Sequence, residues 1–534
     1  MREQLKIKKD LPLTLREVFR SVKARSNGYR RVMSSDGLPS VWLDPPPTIE
    51  ADPFSSGAHY DVAVIGAGLT GLATAVLLAR AGRQVAVFEA RSVGAVTTGH
   101  STAKVTLLQG TRLSTIVVNH TEHVAGAYLE GNQEAQAWLT AYCTEHGVQM
   151  EHRDAYTYAG TQPGASAIRR EFDIARRLGL PVQMTDAIEL PYPTYATICL
   201  PDQLQIDPAQ ALAALAGELR EVGGVLIEGS RVSRVTRDER CNLITSAGNV
   251  TADDVVLATG IPFLDRGLYF AKVTAERSYA LAFRVAAPIP RGMYISADMP
   301  TRSLRTALHD SEELLLVGGN GHAVGRQPMR PSDLIADLTD WAQRWFEVTE
   351  RTHVWSAQDY QAHGGVPFVG KLPRGGGHVY LATGYSKWGM TNAVAAALRI
   401  SGEILGRVPP WARVLGTRVS KPASAVRFFR ANAATGLAAA QGWLGAELHP
   451  VKAEARTPPE GTGVVGAERG EPVAISTVEG KTCALSAVCT HLGGVVRFND
   501  LEKSWDCPLH GSRFDADGTV LEGPATSNLT PRRT

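Results

Sequence analysis

Apolar positions fall along the chain in successive patterns that predict different elements. From Tyr60 onward, short unbroken apolar runs alternate with a longer glycine-punctuated stretch: DVAVIG, then AGLTGLATAVLLARAG, then QVAVFEA. Unbroken runs of four or five apolar residues fit strands buried on both faces, and the intervening run has helical length. This segment predicts strand, helix and parallel strand. Further strand signals occur at DAYTYAG, TYATICL, GGVLIEGSRVSRV, DDVVLATG, ELLLVGG and HVYLATG. Helical spacing marks 208–223, 331–349 and MTNAVAAALRISGEILG. Residues 411–455 are Ala-rich and predict a helical connection; short strands and turns follow, so a domain boundary falls near residue 455. Residues 1–59 carry no domain-like pattern, although Leu15, Val18, Phe19 and Val22 recur at helical spacing.

Composition narrows this picture. A chain of 534 residues with 44% hydrophobic and 20% charged residues divides into two to four folded domains rather than a disordered polymer. No run of 18 or more apolar residues predicts a membrane-spanning helix. The net charge of +2 argues against a dedicated nucleic-acid binder and hides an asymmetry. Residues 1–31 carry ten Lys/Arg against Glu3, Asp10 and Glu17, so this arm is +7 and the remainder is −5. The arm reads as a solvated, partly disordered extension, with peripheral membrane contact as the alternative; Met33 is an alternative start. Six cysteines do not make a disulfide scaffold, which points to a cytoplasmic protein.

Gly66, Gly68 and Gly71 form G-x-G-x-x-G between a predicted strand and helix, and Glu89 ends the next strand. One glycine makes the turn, one admits backbone to a pyrophosphate and one lets helix and strand pack. The helix N-terminus then faces the phosphates, and the acid meets a ribose hydroxyl. A second triplet, Gly461–Gly463–Gly466, precedes no helical pattern and reads as loop and strand; VGGNGHAVG is likewise followed by no helix. One dinucleotide fold is expected and no separate nicotinamide-binding one.

From the first triplet to residue 410 the chain resembles the FAD-dependent oxidoreductases of the D-amino-acid oxidase/sarcosine oxidase/glycine oxidase superfamily. The resemblance is carried by GAVTTGHSTAKVT (94–106), IDPAQALAALAGELREVGGVLIEGSRVSRV, LATG (257–260) and ATGYSKWGMTNAVAAALRISGEILG. It implies FAD as cofactor, with NAD a distant second. Thr98, Gly99, His100 and Ser101 would then run beside the flavin, Val232 would offer backbone to adenine, and Thr259 and Gly260 would close over the cofactor. Gly384, Gly389, Met390 and Thr391 would set a helix N-terminus against the flavin pyrimidine, where backbone N–H groups stabilise the anion of the reduced ring.

Near the C-terminus, Cys489-x-His491 and Cys507-x2-His510 are separated by 15 residues. Two thiolates and two imidazoles satisfy a Rieske [2Fe–2S] centre, one iron taking the cysteines and the other the histidines. A Cys2His2 zinc site has the same inventory but usually pairs like ligands in sequence, whereas here each loop supplies one of each. HLGG, PLHGSRFD and DGTVLEGPA also resemble Rieske domains. High-potential members carry a second cysteine pair at the positions of Gly494 and Leu509, and a tyrosine donor where Phe514 stands; Ser512 is retained. Fewer donors to the cluster imply a midpoint in the lower Rieske range, roughly −150 to +100 mV. Cys143, Cys199, Cys241 and Cys483 are expected to be core thiols.

The expected architecture is therefore an α/β Rossmann-type FAD domain (60–410) with an interleaved antiparallel-sheet substrate layer (about 150–205 and 265–355). A helical linker (411–455) and a small all-β Rieske domain (456–534) complete it. The resemblance implies a dehydrogenase oxidising a small organic substrate, an amine or amino acid C–N bond being favoured. Electrons would pass singly through the cluster to an external one-electron acceptor. An oxygen-using oxidase, a reductive enzyme fed through the cluster, and a carrier without organic substrate are the alternatives. Catalytic candidates are His100, Lys104, Tyr360, His363 and Lys387, with Asp359 and Trp388 beside them; Arg277 and Tyr279, or Arg302 and Arg305, are candidates to grip a carboxylate.

Overall fold

The structure, a computed structural model, describes residues 38–327, 329–448, 451 and 456–532. The basic arm, Met33 and part of the connection at 452–455 lie outside the described residues.

The run DVAVIG forms the strand His59–Ile65, which pairs in parallel with Val85–Phe88 on one side and Asn249–Leu257 on the other. Val379–Thr383 and Val225–Ile227 extend the parallel sheet, and Phe368–Lys371 closes one edge antiparallel. The hairpin Val232–Arg237/Cys241–Thr245 attaches to Asn249–Leu257. The apolar runs of these strands are buried on both faces: helices cover one, and the hairpin with Phe54 and Tyr269 covers the other. The helices Leu69–Arg80 and Gly389–Ile404 pack against each other there, with Leu72, Val76, Val394 and Ile400 inaccessible to solvent. Each such side chain contributes about 1.5–3 kcal/mol by leaving water.

A second sheet of nine strands lies beside the first. Its backbone is formed by Val348–Ala362, Val273–Val285, Glu312–Ala323, Arg302–His309, Met293–Ser296, Met150–Ala159 and Ala196–Ile206. All neighbours along that path are antiparallel except Met293–Ser296 on Met150–Ala159. The helical reading of 331–349 needs shortening: the helix spans Pro331–Trp345, and from Val348 the chain is strand. The β-branched Val348 and Thr349 begin an edge pairing with Val285 and Arg284 that the helical period did not reveal.

Residues 38–58 also depart from the expected extension. Val41 and Trp42 are buried, and the Trp42 indole donates to the Ser101 carbonyl at 2.8 Å. This segment is a brace on the loop that follows the dinucleotide fold.

The Ala-rich connection forms Pro410–Gly416 and Pro422–Leu448. After it come two antiparallel meanders: Thr462–Glu468, Glu471–Val478 and Lys481–Ser486, then Arg497–Asn499, Ser504–Asp506, Arg513–Asp515 and Val520–Glu522. Of the second triplet, Gly461 lies in the turn and Gly463 and Gly466 in the strand Thr462–Glu468, the loop and strand read from sequence.

Candidate functional site

The turn after His59–Ile65 is closed by contacts that only glycine permits. Gly66 has φ +107°, and a Cβ there would lie 2.7 Å from the Ala258 carbonyl oxygen. A Cβ on Gly71 would lie 1.9 Å from the Gly66 oxygen, so helix Leu69–Arg80 starts directly on the turn. Glu89 accepts from the Ala67 N–H at 2.8 Å and, through its other oxygen, from the Arg91 N–H at 2.9 Å. Its carboxylate is thereby fixed at the mouth of the turn.

One large cavity opens from this turn and runs between the two sheets. Gly66, Gly68, Glu89, Thr98, Ser101, Val232, Thr259 and Gly260 line it, as do Gly384, Gly389 and Met390 of the C-terminal signature. The cradle suits FAD: glycines bring backbone to the wall, an acid stands where a ribose would lie, and a helix begins at Gly389. Gly71, Gly99 and Thr391 do not line the cavity. Gly71 and Gly99 sit behind it in close backbone packing, Gly99 donating to the Gly94 carbonyl. Thr391 turns away and donates to Asn132 at 2.6 Å.

Of the catalytic candidates, His100, Lys104, Tyr360 and Lys387 line the cavity, together with Asp359, Tyr279 and Trp388. The His100 ring donates from Nδ1 to the Val96 carbonyl at 2.8 Å, and burial keeps it neutral by pushing its pKa down. Trp355 donates to the His100 carbonyl, so the loop is held from both sides. Lys104 is fully enclosed; its Nζ donates to the Tyr294 carbonyl at 3.0 Å and to Ser303. Burial, reinforced by Arg305, lowers its pKa to about 7. Ser386 and Lys387 both hold positive φ, a strained pair fixed by the Lys387 N–H donating to Asp359. The Lys387 ammonium lies 3.3 Å from Glu276. Burial raises the Asp359 pKa to about 6 against its hydrogen bonds.

Four candidates lie elsewhere. His363 pairs with Thr274 at 3.0 Å and packs on Phe428 outside the cavity. Arg302 pairs with Asp337 at 2.8 Å and Asn320 at 2.7 Å. Arg305 is spent on the carbonyls of Thr102, Ala103, Ile206 and Thr306. Arg277 faces away from the cavity into the C-terminal domain. None of these three arginines is thus left to clamp a carboxylate in the way the sequence suggested. Glu276, Ser303 and Tyr385, which also line the cavity, went unread because they come from separate strands and turns.

In the C-terminal domain, the loops after Lys481–Ser486 and Ser504–Asp506 face each other. Each closes with the same turn: Cys489 N–H to Gly494 O and Gly493 N–H to Cys489 O, then Cys507 N–H to Ser512 O and Gly511 N–H to Cys507 O. The four candidate ligands segregate by type. Cys489 and Cys507 hydrogen-bond each other, while the His491 and His510 rings meet edge to face with centroids 5.1 Å apart. The hydrogen bond from Cys507, aided by the N–H groups of His491 and Leu492 and by Ser512, draws the Cys489 thiol down to about 7 despite burial. Burial first, then His491 and Arg326, push the His510 pKa to about 3, leaving a neutral imidazole fit for metal. A thiolate pair apart from an imidazole pair suits two irons better than one zinc. At the positions of the missing disulfide, Leu509 fills the space: a Cβ on Gly494 would lie 2.6 Å from its Cγ. Cys143, Cys199 and Cys241 are buried, and Cys483 is half-buried.

The two sites share a polar interface. Arg277 donates to Glu502 at 2.5 Å and lies 3.2 Å from Glu522; Arg513 donates to Glu522 at 2.6 Å, Glu502 at 2.8 Å and Asp506 at 3.1 Å. Burial opposes ionisation of Glu502, but Arg277 and Arg513 hold it at about 2. Gln358 donates to both the Tyr360 hydroxyl at 3.0 Å and the Gly511 carbonyl at 2.8 Å. Phe270 packs edge-on against both cluster histidines, at 5.2 and 4.8 Å, and joins the apolar cluster containing Ile261 and Tyr360.

Comparison with known proteins places these features in families. Residues 61–401 match the model of the FAD dependent oxidoreductase family, and residues 448–532 match that of the Rieske [2Fe-2S] domain. The chain is 30% identical over 480 residues to the Rieske 2Fe-2S iron-sulfur protein YhfW of Bacillus subtilis (strain 168), covering 88% of this chain and 92% of that one. The cytochrome b6-f complex iron-sulfur subunit of Microcystis aeruginosa is 45% identical over 64 residues, 11% of this chain and 36% of that one. Among solved structures, glycine oxidase from Geobacillus kaustophilus has a TM-score of 0.56 at 18% identity, covering 66% of this chain and 96% of its own. L-proline dehydrogenase from P. horikoshii has a TM-score of 0.55 at 17% identity, covering 67% and 96%. The chain belongs to the FAD dependent oxidoreductase family and carries a C-terminal Rieske domain, so its cofactors are FAD and a Rieske [2Fe–2S] cluster.

Proposed function

We propose that this oxidoreductase is an amine dehydrogenase whose electrons leave the flavin for the Rieske cluster and pass on to an external one-electron acceptor. Bound FAD takes two electrons from a C–N bond, and a [2Fe–2S] centre carries one at a time. The observation that carries the electron path is the interface. Tyr360 lines the flavin cavity, and its hydroxyl is joined through Gln358 alone to Gly511, the residue after the ligand His510.

Wall chemistry favours a cationic amine over an amino acid. Glu276 and Asp359 line the cavity, whereas Arg277, Arg302 and Arg305 are consumed by other partners. A substrate ammonium would exchange for the Lys387 ammonium at Glu276. Lys104, with a pKa near 7 and its N–H groups directed at Tyr294 and Ser303, is placed to accept the proton that makes the amine reactive. Small residues on the sheet face, Gly318, Gly319, Ser278 and Ala280, leave room for the substrate body.

The test is anaerobic mixing of the holoenzyme with a panel of amines and amino acids, following flavin absorbance and cluster EPR. Flavin bleaching followed by the reduced-cluster signal is expected with amines. Bleaching without the cluster signal, with stoichiometric peroxide once air is admitted, would make the protein an oxidase instead.

A further inference from the structure

The FAD cavity is not built by the flavin domain alone. Leu521, Glu522, Gly523, Ala525 and Thr526, which follow or end the last strand of the Rieske meander, line it. Their place along the cavity is set by polar contacts. Arg231, beside Val232 at one end, donates from Nη2 to the Val520 carbonyl at 2.9 Å. Glu522 is held by Arg277 and Arg513, and its charge reaches Arg231, His100 and Tyr360 alike. The segment is therefore tied to the flavin domain at Arg231 and stands near His100 and Tyr360.

The same segment is tied to the cluster loops. Ser512 follows the ligand His510 by two residues. Its hydroxyl oxygen accepts from the Ala525 N–H at 3.0 Å, and its proton is directed at the Cys489 sulfur. Strand Arg513–Asp515 carries the cluster loop directly into pairing with Val520–Glu522. Ala525 is packed in the domain core with Cys489 and Cys507. One hydroxyl thus bridges a cluster sulfur to the backbone of the cavity wall.

We infer that the Rieske domain is a structural part of the FAD-binding site. The segment Leu521–Thr526 retains the dinucleotide, and cluster assembly holds that segment closed through Ser512. A cluster ligated at Cys489 and Cys507 fixes both loops and the strand between them; an empty pair leaves the wall to open. Retention is then reciprocal in equilibrium terms, bound FAD favouring the docked, cluster-holding domain by the same factor. This holds whatever the substrate and whichever way electrons run.

The test measures FAD release, not turnover. Full-length protein loaded with both cofactors is diluted, and free FAD is followed by its fluorescence, before and after anaerobic removal of iron with dithionite and a chelator, the reductant being removed and the flavin reoxidised before dilution. Release at least tenfold faster from the iron-depleted protein is expected. Because iron removal can unfold the domain outright, Glu502→Gln is measured beside it. Glu502 lines neither cofactor site but anchors the interface through Arg277. With its cluster EPR spectrum retained, this variant should release FAD several-fold faster than the parent, and Ser512→Ala should do the same. FAD release within twofold of the parent in the iron-depleted protein and in both variants would overturn the inference. So would faster release on iron removal, accompanied by loss of far-UV dichroism, with both variants unchanged.

Discussion

The Nε2 atom of His491 lies 3.0 Å from a carboxylate oxygen of Asp265, so a proposed cluster ligand is hydrogen-bonded to a residue of the flavin domain. The Asp265 carboxylate is half exposed, and His491 is nearly covered. A negative charge at this distance opposes addition of an electron to the cluster. Asp265→Asn keeps the shape and removes the charge, so the cluster midpoint should rise by about 50 mV in an EPR-monitored redox titration. An unchanged midpoint would mean that solvent screens the carboxylate completely. The parent protein should titrate in the low Rieske range, because Phe514 has no hydroxyl to donate to the cluster.

A second expectation concerns the interface charges. Arg277 and Arg513 face Glu502, Glu522 and Asp506 in a buried set. Arg277→Met leaves three carboxylates against one guanidinium. Removing one partner of such a pair costs about 3–5 kcal/mol, largely through the uncompensated charge left behind. Calorimetry should then resolve the single transition of the parent into two, the C-terminal domain melting first. A single transition with an unchanged midpoint would show that the network contributes nothing to docking.

The two cofactors are legible in the sequence because the motifs that imply them are local. G-x-G-x-x-G with Glu89 and the paired Cys-x-His and Cys-x2-His loops each fix a geometry within a few residues. What it concealed is long-range. Arg277 read as a substrate clamp because an arginine in a strand shows no sign of which face it serves. Only the pairing of Val273–Val285 with Val348–Ala362 and the docking of Glu502 turn it into an interface residue. His363 was misplaced because it follows the last pairs of that ladder, where the chain bends away toward Phe428. Trp42 gives no sequence signal because a lone short apolar segment has no period; its burial depends on the Ser101 loop some sixty residues on. The helix Glu122–Glu145 likewise has no plain apolar period. Its apolar positions are interrupted by polar residues such as Asn132, which are buried in hydrogen bonds rather than exposed.

Gly71→Ala isolates the packing role of the third glycine from any contact with cofactor. The added Cβ would lie 1.9 Å from the Gly66 oxygen, which no side-chain rotation relieves. The turn must shift, and Glu89 loses its register with Ala67. The variant should purify with FAD content reduced at least tenfold, read as flavin absorbance per polypeptide, while its cluster absorbance persists. Full FAD occupancy would show that the helix can slide along the strand without loss.

As the proposed general base, Lys104 should set the pH dependence of substrate oxidation. Burial first, and Arg305 second, lower its folded-state pKa to about 7, well below the ordinary lysine value. Above that pH the amine is neutral and able to take a proton; below it the ammonium cannot. The rate of anaerobic flavin reduction at saturating amine should therefore rise with pH and level off above about 7. Lys104→Met fills the same volume without a titrating group. It should remove that ascending limb and lower the plateau by roughly 10²–10⁴-fold, the range for loss of a general base. Its FAD content should be unchanged. If the variant keeps the parental profile and merely raises KM, Lys104 holds the wall at Tyr294 and Ser303, and the proton goes elsewhere.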